Sequence, residues 1–288
     1  MNQYAKRKLE FTFNMGEGAF GEKRGSDVVL SGHRASVGLA LYGAASKPTA
    51  QFRIFGLPLE MINQLTRVGW RPGAFKENRV MIAAGDEGGA MSVVHMGSIE
   101  TAFANFNAAP DVALEVMSMS GLVEAMRPVA ARSYVGPTDA GDIMADLAKD
   151  MGVAFERNGV SVILQNPYLP GTAWAQVERC ANAARINYSL DRGILSIWNR
   201  NGARQASKAI RIAPDTGMVG YPTFNGNGIS VRNLFNPDVV LGSEVEVDTE
   251  ITVAKGKWVA HSVYHTLESE TPNGQWFTDV LCHRGLIQ

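Results

Sequence analysis

The sequence predicts a mainly β protein of the α+β class, in which two antiparallel β-barrel or β-sandwich modules flank a small α+β domain. Period-two alternation of apolar and polar residues runs through both ends of the chain, and two long helical stripes fall in the middle. Hydrophobic residues make up 45% and charged residues 19% of the 288 residues, which is enough apolar material for folded cores. The predicted domains are residues 1–135, 136–202 and 203–288.

The first module is predicted to contain several antiparallel strands and one inserted helix. Phe11, Phe13 and Met15 share one face of the first strand, and Phe52 and Ile54 share the buried face of another. The turn cluster 86–89 joins two runs in a predicted hairpin. The predicted strands are 10–15, 28–30, 35–42, 49–55, 79–83, 91–96, 99–107 and 112–119.

The inserted helix is predicted to begin at Pro58, because proline fits a first helical turn, and Gly69 lies just past its predicted end. Two further helices are predicted in the middle domain. Thr138 is the expected N-cap of the first, and Gly152 its C-terminal stop. Thr172 is the expected N-cap of the second.

The middle domain is also predicted to contain two hairpins. Asn158–Gly159 lies between the apolar runs 153–157 and 160–164, and Asn-Gly is a strong hairpin signal because both turn residues accept positive φ. The second hairpin joins 186–190 to 194–198. The resulting order, helix–hairpin–helix–hairpin, predicts an approximate internal duplication across residues 137–200.

The last module is predicted to be β throughout. Its strands are expected at 231–235, 242–247 and 250–253, after a first strand at Ile210. A long hairpin, 258–267 with 275–283, then closes the chain around the turn 272–274.

Charge, cysteine content and hydropathy exclude several functional classes. The net charge is −1 and no basic block occurs, so a phosphate-contacting nucleic-acid site is not expected. Cys180 and Cys282 fall in different predicted domains, which favours free thiols in a reducing compartment over a disulfide framework. The polar N-terminus lacks a secretory h-region, and no run of about 18 apolar residues occurs, so we expect no secretion signal and no membrane anchor.

Three histidines of the closing hairpin form one candidate metal site. His261 and His265 are expected to share a strand face, and hairpin closure places His283 near His261. Three imidazoles on one face have the ligand chemistry of a zinc site. The alternative is hydrogen-bonded packing on a half-buried sheet, and it is favoured because no carboxylate or thiolate completes the set.

Other candidate sites have structural interpretations. Cys180 lies on the apolar side of a helix, where a buried inert thiol is expected. Glycine-rich segments 18–21 and 85–89 lack the helix and the Lys-Ser/Thr of a phosphate loop. The methionines of the strands are interpreted as core filler, although methionine also suits protein contacts. These residues are Met91, Met96, Met117 and Met119.

Four acidic residues, Glu244, Glu246, Asp248 and Glu250, alternate along a predicted strand and form an acidic stripe. A solvated face explains the stripe. The other explanation is the wall of a channel, where like charge lets a nucleic-acid polymer slide past. No catalytic, cofactor-binding or metal-binding residue is predicted.

The closing segment resembles phage tail baseplate hub proteins, the central hubs of contractile and related long tails, and the hub part of type VI secretion spikes. The resemblance is carried by Gly217–Pro222, Asn233–Pro237 and Leu241–Gly242, and by Val259–His265 followed by Gly274–Thr278 on the other side of the closing hairpin. It is clear over residues 200–285 and weaker over 137–200, and residues 1–130 agree only in pattern. These motifs are turns and strand ends.

The resemblance implies a structural, non-enzymatic homotrimer with two tail-tube-like modules per chain. Three chains then make a ring of six similar modules that adapts a hexameric tail tube to a trimeric spike. Implied partners are further copies, the tube or tube-initiator protein, the central spike and the tape measure protein, and DNA passes without specific binding. The implied location is the virion tail tip, after assembly in the host cytoplasm. A tube or tube-initiator ring and a tail-associated cell-wall hydrolase are the alternatives.

Overall fold

The computed structural model describes residues 6–15, 27–42, 46–66, 78–107, 109–204 and 208–285. The chain divides into two compact units, of which the first holds residues 1–40, 48–120 and 265–277 and the second holds the rest. Strands account for 50% and helices for 16% of the structure, which confirms the prediction of a mainly β protein. None of the helices in the described ranges is long and apolar enough to cross a membrane.

The first unit is an antiparallel sheet with one short helix. Its elements are β1 (Arg7–Asn14), β2 (Asp27–Ser31), most of β3 (Ala35–Tyr42), β4 (Thr49–Phe55), α1 (Leu59–Leu65), β5 (Arg79–Asp86), β6 (Ser92–Asn105) and β7 (Ala113–Met119). Neighbouring strands follow the order β3-β4-β7-β6-β5-β1-β2. Each neighbouring pair is antiparallel.

The core of the first unit lies on one face of this sheet. Phe11, Phe13, Phe52 and Ile54 are all buried, and the rings of Phe11 and Phe52 stack with centroids 5.1 Å apart. Gln51 and Arg53 point to the opposite, exposed face, because successive strand residues alternate. The alternation predicted for β1 and β4 is therefore confirmed.

Strand β6 differs from the prediction. Residues 92–105 form one continuous strand, although separate strands were expected at 91–96 and 99–107. Pairing slips at Ile82/Ala83 and again at Ile99/Thr101, so an extra residue is accommodated on β6 at each point. Such β-bulges reset the alternation without ending the strand, and the sequence pattern consequently looks like two strands.

Helix α1 starts directly after Pro58, as predicted, and Thr66 is its C-cap. Thr66 ends the helix by donating both its backbone N–H and its hydroxyl to the carbonyl of Ile62. The predicted stop at Gly69 and the glycine-rich segment 18–21 both lie outside the described residues.

Acidification is expected to destabilise the first unit through His95. This side chain is buried beside the Ser118 hydroxyl, 2.9 Å away, and burial lowers the pKa of His95 from 6.5 to about 4. A lowered folded-state pKa contributes stability that is complete above pH 6.5 and is lost as the pH falls towards 4. The expected loss by pH 4 is about 3 kcal/mol, since one pKa unit corresponds to ~1.4 kcal/mol.

Urea unfolding of the wild-type chain and of His95→Gln between pH 7 and pH 4 measures this contribution. The variant should lose less stability over that range, because its amide does not titrate. An equal loss in both chains would show that His95 makes no such contribution.

The second unit combines the small helical region with most of the closing strands. Its elements are α2 (Leu122–Met126), β8 (Arg132–Ser133), β9 (Pro137–Asp139), α3 (Ala140–Met151), β10 (Ala154–Asn158), β11 (Ile163–Gln165), β12 (Tyr168–Leu169), α4 (Ala173–Ala184), β13 (Ile186–Asp191), β14 (Ile194–Asn199), β15 (Ile210–Ile212), a 3-10 helix (Pro214–Thr216), β16 (Thr223–Asn225), β17 (Gly228–Leu234), β18 (Glu244–Val247), β19 (Gly256–Ser269) and β20 (Trp276–His283). Strands β3, β19 and β20 each contribute residues to both units.

The two long helices carry the predicted caps with one correction. Asp139, and not Thr138, caps α3, because its carboxylate accepts a 2.7 Å hydrogen bond from the Gly141 amide. Thr138 instead pairs with Leu164 between β9 and β11, which keeps it extended. Gly152 ends α3 in the left-handed conformation, and Thr172 caps α4 by accepting from the Ala175 amide at 3.2 Å, both as predicted.

The predicted hairpin at Asn158–Gly159 is wrong. Strand β10 pairs in parallel with β14, and β11 pairs with β9. Gly159 has a φ of 65°, but Asn158 stays in β10, where its side-chain amide donates to the Ile197 carbonyl at 3.1 Å. The second hairpin, β13 with β14, is confirmed. The two halves of the region therefore differ, and a helix–hairpin duplication does not describe them.

The closing strands of the second unit form a ladder in the order β16-β17-β20-β19-β18-β15. The long hairpin of β19 and β20 is as predicted, with Asn273 at positive φ in its turn. Residues 250–253 are a turn and not a strand, because the backbone amides of Ala254 and Lys255 both donate hydrogen bonds to the Ile251 carbonyl. Along the described strands this ladder stays open, so the barrel form of the predicted module is not seen.

Candidate functional site

The hub-like motifs are turns beside the closing hairpin. Gly217 and Gly220 have φ values of 104° and 72°, which side chains rarely adopt. A Cβ on Gly217 would also lie 3.2 Å from Leu234. Met218 bridges to Asn233, so residues 217–220 run antiparallel to the end of β17. This motif therefore covers one edge of β17.

The Asn-Pro motif links the closing ladder to the helical region. The Asn236 side chain accepts from the Asp238 amide at 3.0 Å, and the Asn236 amide donates to the Thr278 hydroxyl at 3.0 Å. The Pro237 carbonyl accepts from the guanidinium of Arg192, which lies in the β13–β14 turn. The motif thus holds three separate chain segments together.

Gly242 and Arg204 make a second link of this kind. A Cβ on Gly242 would lie 2.9 Å from the ring of Trp198, so only glycine fits there without displacing the indole. The Arg204 amide donates to the Gly242 carbonyl, and its guanidinium pairs with Glu156 of β10 and contacts the Ser196 hydroxyl of β14 at 2.8 Å. Sequence reasoning missed this network, because no local pattern relates Arg204 to Glu156.

The Arg204–Glu156 pair is poorly exposed to solvent. The Arg204 side chain is 10% exposed and that of Glu156 is 23% exposed. Burial acts to raise the pKa of Glu156, but hydrogen bonds from Arg204, Asn158 and Ser196 outweigh it, and the pKa of Glu156 is lowered. These three donors therefore stabilise the ionised form of Glu156.

The structure brings together two of the three candidate histidines. The rings of His261 and His283 lie nearly parallel with centroids 5.9 Å apart. His265 is buried, whereas His261 is half-buried, and the alternation of β19 is interrupted where Ser262 and Val263 are both buried. Burial lowers the pKa of both members of the pair, and the His283 charge lowers that of His261 further. No group of three or more His, Cys, Asp or Glu residues in the described ranges is placed to hold a metal ion.

The two cysteines are buried free thiols. Burial raises the pKa of both Cys180 and Cys282 to about 12. A thiol with such a pKa is almost entirely protonated near neutral pH and is a poor nucleophile. The predicted burial of Cys180 is therefore confirmed.

Basic side chains of neighbouring segments offset most of the charge of the acidic stripe. Lys257 contacts Glu244 at 2.7 Å, and Asp248 contacts both Arg211 and Lys255 at 2.9 Å. Glu246 lies in register with Arg211 on one side and Lys257 on the other. This surface carries mixed charge, which favours the solvated-face interpretation over that of a repulsive channel wall.

The strand methionines lie outside the core, which corrects their interpretation as filler. Met96 is 37% exposed, and the other three, Met91, Met117 and Met119, are partly exposed. Met96 and Met117 lie on the face of the first unit opposite its phenylalanine core, where Met117 lines a groove of about 490 Å³. The ion pair of Arg53 and Glu115 lines this groove. The flexible methionine side chains on this surface suit protein contacts.

The fold is similar to that of two phage tail proteins of known structure. The chain is similar to the 43 kDa tail protein of Shewanella oneidensis prophage MuSo2, with 12% identity, a TM-score of 0.60, and coverage of 96% of this chain and 97% of that one. It is similar to a tail protein of Neisseria meningitidis MC58, with 10% identity, a TM-score of 0.62, and coverage of 95% and 96%.

A third similar structure is the Escherichia coli c3393 protein, described as a type VI secretion component with structural similarity to bacteriophage T4 gp27 and gp5. It has 9% identity and a TM-score of 0.53, with coverage of 87% of this chain and 73% of that one. No curated protein sequence matches the chain. The model of the family described as baseplate hub gp41 matches residues 61–277, and the chain belongs to this family. The resemblance drawn from the closing motifs is thereby confirmed.

Proposed function

We propose that this chain is the structural, non-enzymatic hub of a contractile-tail baseplate and that it works as a homotrimer. Three chains form a pseudo-hexameric ring that joins a hexameric tail tube to a trimeric spike and leaves a channel for DNA during genome ejection. The family match over residues 61–277 carries this proposal. We propose that residues 1–135 and 203–288 form two tube-like modules and that residues 136–202 form the α+β domain between them in sequence.

The proposed partners are the tube or tube-initiator protein, the central spike and the tape measure protein. The c3393 protein, whose description names similarity to gp27 and gp5, supports a place beside other tail components. The proposed location is the tail tip of the virion, after assembly in the host cytoplasm. DNA is proposed to pass without specific binding. The mixed charge around the strand Glu244–Val247 is compatible with such passage.

The edge strand β16 is the proposed contact between copies. It lies at the end of the closing ladder, and no described strand pairs with its outer side. Phe224 on this strand is 57% exposed and nearby Tyr221 is 64% exposed. An edge with unpaired backbone groups and exposed aromatic side chains is a template for association with another chain.

We expect native mass spectrometry of the chain alone to show a trimer of about 93 kDa, three times the chain mass of 31.1 kDa. In a complex with the spike and tube partners, three copies of the chain are expected. Tyr221→Glu with Phe224→Glu should reduce it to monomer, because each charge would be buried in the contact. Val253→Glu, at a similarly exposed position in a turn, is the matched control and should leave the trimer intact.

A hexamer would favour the alternative of a tube or tube-initiator ring, and a monomer in every preparation would contradict both proposals. Release of cell-wall fragments by the purified trimer would favour the hydrolase alternative and overturn the non-enzymatic role.

A further inference from the structure

The turn between β16 and β17 lies in the sequence Phe-Asn-Gly-Asn-Gly, residues 224–228. Asparagine followed by glycine is prone to spontaneous deamidation, in which the glycine nitrogen attacks the side-chain amide carbon. Glycine favours this attack because it has no side chain to restrict the backbone. The asparagines of the five such pairs in the chain are Asn158, Asn201, Asn225, Asn227 and Asn273.

Burial and packing protect two of the five pairs. Asn158 is 3% exposed, and its side-chain amide donates two hydrogen bonds, at 2.8 Å and 3.1 Å. Asn227 is exposed, but the nitrogen next to it belongs to Gly228, the first residue of β17. A Cβ on Gly228 would lie 2.1 Å from the Cys282 carbonyl oxygen, so this backbone is packed against β20 and has no room to close into a ring.

Backbone hydrogen bonds protect two more pairs. Asn201 and Asn273 are both exposed. The nitrogens that would attack belong to Gly202 and Gly274, and each donates to the carbonyl three residues earlier at 3.0 Å. Such a bond must break before the nitrogen can attack, which raises the barrier to reaction.

Asn225 lacks these protections. Its side chain is exposed, and the Gly226 N–H donates to no residue that the structure describes. A Cβ on Gly226 would meet no atom within 4 Å, so packing does not hold this backbone in place. The Asn227 amide donates to Oδ1 of Asn225 at 2.9 Å, which polarises the side-chain carbonyl and holds it against the turn.

We infer that Asn225 is a site of spontaneous deamidation. The Gly226 nitrogen bonds to the side-chain amide carbon of Asn225, and the bond from that carbon to Nδ2 breaks. The proton of the Gly226 N–H leaves with Nδ2 as ammonia. Water then opens the cyclic imide at either of its carbonyls and gives aspartate or isoaspartate, so the reaction needs no oxidant, reductant or enzyme.

Both products change the edge strand β16. Each adds a negative charge next to Phe224, which is 57% exposed. Isoaspartate also adds an atom to the main chain, and β16 is held by only three residue pairs, 223–225 with 228–230. Deamidation is therefore expected to loosen β16 and to weaken the contact between copies, a consequence that rests on the proposed function.

Peptide mapping of the full-length chain by mass spectrometry, after prolonged incubation at mildly alkaline pH, tests the site. We expect a gain of about 1 Da, ammonia lost and water gained, which fragment ions place at Asn225. The double variant Tyr221→Glu with Phe224→Glu is incubated in parallel, so that association of copies does not cover the turn. An unmodified Asn225 in both chains, or equal modification of the other exposed Asn-Gly pairs, would overturn the assignment.

Gly226→Ala tests the attacking nitrogen. The added Cβ meets no neighbouring atom, so the fold should accept it, while modification of Asn225 should slow by about tenfold because ring closure is hindered. Gly202→Ala, beside Asn201, is the matched control and should leave the rate at Asn225 unchanged. Equal rates at Asn225 in Gly226→Ala and wild type would contradict the mechanism.

Native mass spectrometry tests the consequence for association. Asn225→Asp should lower the fraction of trimer, and Asn201→Asp, at an exposed asparagine of another turn, is the matched control and should not. An equal trimer fraction in Asn225→Asp and wild type would refute the consequence. A wild-type chain that never forms a trimer would contradict the proposed function instead, because the peptide map does not depend on association.

Discussion

Phe52→Ala is expected to destabilise the first unit by about 3–5 kcal/mol, the usual cost of truncating a fully packed aromatic side chain. Phe52 is 3% exposed and lies at the centre of the core, with its ring centroid 5.1 Å from that of Phe11 and 6.2 Å from that of Phe13. Its removal leaves a cavity that strands held in register by the sheet cannot close. Urea unfolding followed by circular dichroism measures the loss.

Phe103→Ala is the matched control. Phe103 is also a strand residue of the first unit, but it is 42% exposed and lies on the opposite face of the sheet. The same chemical change should cost less than about 1 kcal/mol there, since surface substitutions are usually mild. Equal losses at the two positions would contradict the assignment of the core to the Phe52 face.

Arg204→Met is the second substitution with a large expected effect. It removes the charge that pairs with Glu156 and leaves a poorly exposed carboxylate with only Asn158 and Ser196 as donors. Removing one partner of a buried ion pair typically costs about 3–5 kcal/mol. Because Glu156 keeps some exposure to solvent, we expect a loss in the lower part of this range. The measurement is the free energy of unfolding at pH 7.

The double variant Glu156→Gln with Arg204→Met separates the charge from the packing. It should recover most of the lost stability, because no unpaired carboxylate remains. In the wild-type chain the lowered pKa of Glu156 contributes stability above its unfolded pKa, and this is lost as the pH falls through the folded pKa. Arg204→Met should lack that acid-dependent loss. A double variant no more stable than Arg204→Met would refute the charge explanation.

The motifs that identify the family have structural roles. Gly217, Asn236 and Gly242 occupy turns where backbone geometry or close packing restricts the residue type, and each one joins segments far apart in sequence. The proposed hub function requires such joints, because in that role the chain holds a fixed shape between partners.

Local interactions explain most of the successful sequence predictions. Alternation in β1 and β4, the stop at Gly152, the cap at Thr172 and the β19–β20 hairpin all depend on residues close together in the chain. Side-chain periodicity and capping act over a few residues, so a single sequence contains the information needed to place them.

Contacts between distant segments decided the features that sequence reasoning missed. Asn158 lies in a hairpin-like sequence, yet it pairs in a parallel strand, and its side-chain amide donates to the Ile197 carbonyl. Arg211, Lys255 and Lys257 offset most of the charge of the acidic stripe, and His265 is buried whereas His261 is half-buried. The sequence by itself determined the β-rich class, the helix ends at Gly152 and Thr172, and the hub-like turns. Only the tertiary structure decided strand partners and charge pairing, because each depends on residues that folding alone brings together.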